Sequence, residues 1–244
     1  MSITLLTGSP GHGKSYTLIR VIEESVAKKI PVATNVPLAP DWSKKMARRH
    51  VLLWRFREEA VEKKAAEFAR YVFISDNFDE LLRVRLEGEK EGRGKLILDE
   101  AHRWMNARGW DNATVVDEDG NVTQMKRGEA LAKRLKVINH LSGHRHYGFD
   151  VILATQSDKS IDNQARELYE FHSEVRNMKK LPWLGIFIRF NLFLRVTKWN
   201  DRARSKAGVS CYWLNKSLAS LYATHALQAT DWPDDAIMLP RPVT

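Results

Sequence analysis

Cysteine is almost absent: among 244 residues there is one, Cys211. An intrachain disulfide is therefore excluded, which fits a reducing compartment, and thiolate-rich zinc sites are excluded with it. Cys211 stands between Ser210 and Tyr212 in a strand-like run and reads as a small packing residue. Long uncharged apolar runs are missing too. The most apolar stretch, Leu181 to Val196, carries Arg189 and Arg195. Its apolar residues fall mostly on alternate positions, the period of a half-buried strand rather than of a membrane helix. Met1-Ser2-Ile3-Thr4 has neither a basic start nor an apolar leader core, so no signal peptide is expected. Internal repeats and low-complexity tracts are lacking. Acids are in deficit: 30 Asp and Glu against 39 Lys and Arg leave a net charge of +9. That balance suits an anionic partner such as nucleic acid, a membrane surface or nucleotide, but charge alone locates no binding face.

What is present describes a folded α/β chain. With 43% hydrophobic and 28% charged residues, the length suffices for one large domain, or one domain with a small appendage. Ile3-Thr4-Leu5-Leu6 reads as a buried strand, followed by a glycine-rich turn and a helix from Ser15 to Lys29 with Leu18, Ile19, Ile22 and Val26 on one face. A second strand, Pro31 to Val36, is stopped by Pro37. Residues 57–70 and 78–86 read as helices around a strand at 71–75. Leu96-Ile97-Leu98 is a strand ending at Asp99-Glu100, and Val151 to Thr155 is another ending at Gln156. Between them lie a hairpin (114–116 and 122–123) and an amphipathic helix over 129–141. The turn 117–121 lacks the ligand spacing of a calcium loop. Strands alternating with helices imply a mostly parallel central sheet. After about residue 172 the pattern becomes strand 183–198, a basic turn 201–206, and strand 208–214: a hairpin added to the core.

Three features carry chemistry. Gly8-Ser9-Pro10-Gly11-His12-Gly13-Lys14-Ser15 matches the pattern Gly-x4-Gly-Lys-Ser/Thr between a strand and a helix. Glycines let backbone N–H groups wrap phosphates, and the helix start adds its positive end. Lys14 is expected to reach the β- and γ-phosphates of ATP, Ser15 to ligate Mg2+, and Tyr16 to complete the nucleotide-binding stretch. The second feature is the acid pair, with Asp99 expected in the Mg2+ shell and Glu100 aligning or deprotonating water. The third is Gln156, a polar strand end able to touch the γ-phosphate. Arg145 is a candidate for a transition-state arginine supplied in trans, with Arg166 and Arg176 as alternatives. Asp99-Glu100-Ala101-His102 spells a helicase-like tetrapeptide, but no second motor lobe is present, and His102 packs beside the site in this reading. His140, His144 and His146 lack a neighbouring cysteine or acid to complete a zinc set. Trp199, Tyr212 and Trp213 read as core residues, with base stacking as the alternative.

Three segments together resemble the Zot (zonula occludens toxin-like) N-terminal domain family, which includes assembly ATPases of filamentous phages. They are Ile3 to Ser15 with Val32-Ala33-Thr34-Asn35-Val36, then Leu98 to His102, then His144-Arg145-His146-Tyr147-Gly148-Phe149-Asp150 running into Val151–Gln156. The likeness is strongest over residues 1–180, the expected P-loop ATPase domain, with residues 181–244 forming a hairpin extension and tail. The resemblance implies a P-loop NTPase fold of the additional-strand, catalytic-glutamate type. It implies ATP hydrolysis with Mg2+ to drive assembly and extrusion of filamentous phage at the cytoplasmic face of the bacterial inner membrane. It also implies a homo-oligomeric ring, a hexamer in the fullest form, with phage coat or assembly proteins and single-stranded DNA as partners, and membrane attachment through a further C-terminal segment or a partner. The alternative is a nucleotide-gated adaptor that binds coat protein or DNA with little turnover.

Overall fold

The computed structural model describes residues 1–84, 94–106, 114–116, 122–124, 127–180, 190–200 and 206–223. Strand β1 (Ile3–Thr7) is buried and feeds the glycine-rich turn, from which helix α1 (Lys14–Ala27) starts. Leu18, Ile19, Ile22 and Val26 are the apolar residues of its inner face, and burial of each contributes roughly 1.5–3 kcal/mol. Lys29, at φ 59°, turns the chain out of the helix. β2 (Val32–Thr34) follows, then α2 (Trp42–His50), α3 (Glu58–Ala69), β3 (Val72–Ile74) and α4 (Phe78–Leu81). The sequence pattern did not single out α2; it buries only Met46 and Ala47, too few for a visible apolar stripe. Next come β4 (Gly94–Leu98), the hairpin β5 (Thr114–Val116) and β6 (Val122–Gln124), α5 (Arg127–Ser142), β7 (Phe149–Thr155), α6 (Asn163–Leu168) and β8 (Phe171–Asn177). The last described elements are β9 (Leu192–Trp199), β10 (Lys206–Trp213) and α7 (Lys216–Ala219).

One eight-stranded sheet runs in the order β10-β9-β8-β1-β7-β4-β2-β3. From β8 to β3 all neighbours are parallel, while β9 and β10 add on in antiparallel fashion. β7 is inserted between β1, which leads into the glycine-rich loop, and β4, which leads into the acid pair. Alternation along the strands separates two cores. Leu6, Ile97, Ala154 and Val175 pack with α1, α2 and α3 on one face, while Leu5, Leu96, Leu98, Val151 and Leu153 pack with α4 and Val137 and Leu141 of α5 on the other.

The C-terminal hairpin is continuous with this sheet and shares its core: Phe193 and Tyr212 belong to the α1-side cluster. Its strand over 183–198 is seen from Leu192, since 181–189 lie outside the described residues, as does most of the basic turn 201–206. Pairing of Tyr212 with Phe193 fixes the parity and puts Tyr212 inside, so Cys211 is exposed rather than packed. By exposure Trp199 and Trp213 are surface residues too, at 46% and 59%, a correction to their reading as core.

Candidate functional site

Parallel registry brings the chemistry to one sheet edge. Thr7 pairs with Thr155, and Leu98 with Leu153, so the residues following β1, β7 and β4 emerge together at the carboxyl ends. That edge is where ligands bind in open parallel sheets. It carries the P-loop, Gln156 (exposed) and the pair Asp99-Glu100.

The loop Gly8–Ser15 closes through His12 N–H donating to Ser9 O at 3.1 Å. Gly11 and Gly13 have φ of 74° and 92°, the left-handed region that turns successive amides toward one centre. Behind the loop there is no room: a Cβ on Gly8 would lie 2.7 Å from Val175 O, and one on Gly13 would enter the ring of Phe193 from β9. Lys14 is buried, its Nζ donating to Gly8 O at 2.8 Å, folded back along the loop it would leave to reach a polyphosphate. Pro10 O accepts from Lys180 Nζ at 3.2 Å. Burial, followed by the charges of Lys180, Lys14 and Arg176, holds the His12 imidazole below its ordinary pKa. Cations thus converge on the loop before any anion arrives.

The second half of the site is polar and tightly clamped. Ser15 Oγ donates to Asp99 Oδ2 at 2.9 Å, joining the P-loop helix to the acid pair. Asn35, directly after β2, accepts from Asp99 N–H at 2.7 Å and donates to Asp99 O at 3.0 Å. Burial raises the Asp99 carboxyl above the usual aspartate range, with the Glu100 charge acting in the same direction and the Ser15 hydrogen bond opposing it. A cation between Ser15 and Asp99 would reverse that balance, and a hydroxyl beside a buried carboxylate is a fitting donor set for Mg2+. Glu100 sits at φ 49°, a left-handed conformation that costs a non-glycine residue roughly 1–3 kcal/mol. Its Oε2 is buried and makes no hydrogen bond, although His102 Nδ1 lies 3.2 Å away. A carboxylate oxygen left without a donor is one suited to accept from water. His102 Nδ1 is also 3.5 Å from Thr155 Oγ1, tying the acid pair to the end of β7.

Arg145 is elsewhere. It precedes β7, at the amino edge of the sheet, and pairs with Glu170 at 2.6 Å. Strand β7 separates it from the cradle, a span of roughly 20 Å at the usual rise per residue. Within one chain it does not meet the phosphates. Arg166 is bonded to Asn163 on α6, whereas Arg176, late in β8, is near enough to influence His12. His144 Nδ1 lies 2.7 Å from Leu141 O and His140 stacks on Tyr147 at 4.7 Å, structural contacts at the end of α5.

Four contributors were not visible in sequence: Phe193 under Gly13, Lys180 on Pro10, Asn35 on Asp99, and Tyr222. Ala39 N–H donates to Leu221 O at 2.8 Å and Ala223 N–H to Pro37 O at 2.9 Å, which seats Tyr222 beside the acid pair. Burial raises the Tyr222 phenol pKa, and the Asp99 charge adds to the shift while contact with Ser15 opposes it. Only Asn35 had a local signal, a polar residue at the end of a buried strand.

The family model of the Zonular occludens toxin (Zot) matches residues 2–228. The chain is 25% identical to the Gene 1 protein of Enterobacteria phage I2-2 over 248 residues, covering 95% of this chain and 58% of that protein. It therefore spans less than two thirds of this relative's length. Among solved structures, the N-terminal domain of zonular occludens toxin from Neisseria meningitidis aligns over 91% of this chain and 98% of its own, at 19% identity and a TM-score of 0.44. The ATPase domain of G40P aligns over 89% of this chain and 82% of its own, at 8% identity and a TM-score of 0.54, a likeness of fold.

Proposed function

Since the chain belongs to the Zonular occludens toxin (Zot) family, we propose that it is the ATP-hydrolysing motor domain of a filamentous-phage assembly machine, working at the inner face of the bacterial inner membrane. The observation that carries the enzymatic part is the 2.9 Å contact of Ser15 with Asp99, which joins phosphate loop and acid pair into one site. The similarity to phage Gene 1 proteins supports the assembly role. A ring of identical subunits, contact with coat or assembly proteins, and contact with single-stranded DNA belong to the same proposal.

In this mechanism the P-loop amides receive the triphosphate, and Lys14 moves from Gly8 O to the β- and γ-phosphates. Ser15 and Asp99 would hold Mg2+, which would offset the negative charge of the triphosphate. Glu100 accepts a proton from the water that attacks the γ-phosphorus in line, and the ADP oxygen departs. Gln156, between the two halves, orients that water. Arg145, at the opposite edge of the sheet, acts in trans on the nucleotide of a neighbouring subunit.

Two variants test the site by phosphate release and ATP binding. Lys14→Ala should lose turnover by about 10²–10³-fold and weaken ATP binding, since it removes charge from the phosphates. Glu100→Gln should keep ATP binding while turnover falls by about 10²–10⁴-fold. Hydrolysis by Glu100→Gln at the wild-type rate would overturn the assignment. Tight ATP retention by the wild type with negligible turnover would favour the nucleotide-gated adaptor.

A further inference from the structure

Between α2 and α3 the chain makes a tight turn that exposes its apolar residues. Leu52, Leu53 and Phe56 are 79%, 64% and 86% exposed, and Trp54 is exposed beside them. Scattered surface apolars are ordinary, but four large ones in five consecutive residues are not. The turn is fixed. Phe56 N–H donates to Leu53 O at 3.0 Å and Arg57 N–H to Trp54 O at 3.2 Å, while Val51, just before, packs against the core. Leu53 is held at φ 55°, a strained conformation that keeps its side chain outward.

The surrounding charge has one sign in excess. Over residues 44–59 six Lys or Arg stand against two Glu. Lys44, Lys45 and Arg49 are neutralised by Glu62, Asp41 and Glu23. Arg48, Arg55 and Arg57 make no ion pair among the described residues, and the first two lie over the Trp54 ring, at 5.2 and 5.6 Å from its centroid. An exposed apolar tip with an indole at its base and free guanidinium groups around it matches the layers of an anionic bilayer surface: acyl boundary, interface and phosphate. A second copy of this chain fits less well, because the exposed apolar tip is a short turn of a few residues, whereas a stable protein interface engages roughly 20–30 residues a side. A copy would also bring a net charge of +9 to a cationic patch.

We propose that the turn Leu52–Arg57 is a membrane-surface anchor by which this domain binds anionic lipid directly. The anchor does not depend on hydrolysis. The experiment is flotation of the full chain with vesicles of phosphatidylglycerol and phosphatidylethanolamine, and with vesicles of phosphatidylcholine alone. Binding should require the anionic lipid and weaken as salt rises. The triple variant Leu52→Ser/Leu53→Ser/Phe56→Ser should bind at least about tenfold more weakly, and Arg55→Gln/Arg57→Gln should lose most of the salt dependence. Trp54 emission should shift to the blue on binding, a change absent from Trp54→Phe. ATP turnover without lipid reports the fold of each variant and should stay at the wild-type level. Wild-type protein that ignores anionic vesicles, or a triple variant that binds them equally well, overturns the proposal. So does a solution mass that falls in the triple variant, which would make the turn a contact between copies.

Discussion

The two halves of the site are built from different materials. The phosphate half rests on packing: Gly13 lies on the ring of Phe193, and Tyr16, Phe193 and Tyr212 form a cluster with centroids 5.3 to 6.1 Å apart. The carboxylate half rests on hydrogen bonds, with Asn35, Ser15 and the Glu100 amide all satisfying Asp99. Apart from the His12 N–H bond to Ser9 O, a loop that must open its amides to a ligand cannot be held by those same amides, so most of its support comes from what lies behind it. A buried carboxylate cannot be held by apolar neighbours, because burial pushes it toward the neutral form. Each half takes the only support its chemistry permits.

The contrast breaks most sharply at Phe193. Phe193→Ala should destabilise the fold by about 3–5 kcal/mol, as for other buried aromatics, and weaken ATP binding, because the void lies directly behind the loop. Denaturant unfolding and nucleotide titration check both; unchanged ATP affinity would show that the loop holds its own shape. Asn35→Ala comes next. It strips partners from the Asp99 amide and carbonyl, costing about 2–3 kcal/mol, and it should raise the Mg2+ concentration needed for half-maximal turnover while leaving nucleotide affinity measured without metal unchanged. The smallest effect sharpens the comparison. Asp99 has a raised pKa in the folded chain, so its stabilising contribution is full below the ordinary aspartate range of about 3.9 and is lost as pH rises through the raised value. Asp99→Asn should therefore gain thermal stability over the wild type in that window and keep the gain at neutral pH, while its Mg2+-dependent turnover disappears. A variant less stable than the wild type at pH 7 would show that the hydrogen bonds outweigh the charge.

Much of this arrangement was legible because it is local. Gly8 to Ser15, the strand before it and the helix after it are contiguous, and so are Leu96 to Glu100. The mostly parallel character of the sheet followed from alternation of strands and helices, whereas its strand order did not. What was not legible is distant in the chain or depends on direction. Nothing near Phe193 announces that it will lie under Gly13, since that requires β9 to join the sheet beside β8. Its neighbours set the same trap for Cys211 and Trp213: one residue of register decides inside from outside. Arg145 stands close in sequence to the strand that delivers Gln156, but it enters that strand from the opposite end.

The pairing of Leu221 and Ala223 with Pro37 and Ala39 has a mechanical consequence. Tension applied at Ala223 loads those two hydrogen bonds directly. They flank Tyr222, whose phenol borders Ser15 and Asp99. A load at Ala223 is therefore delivered a single side chain away from Ser15 and Asp99.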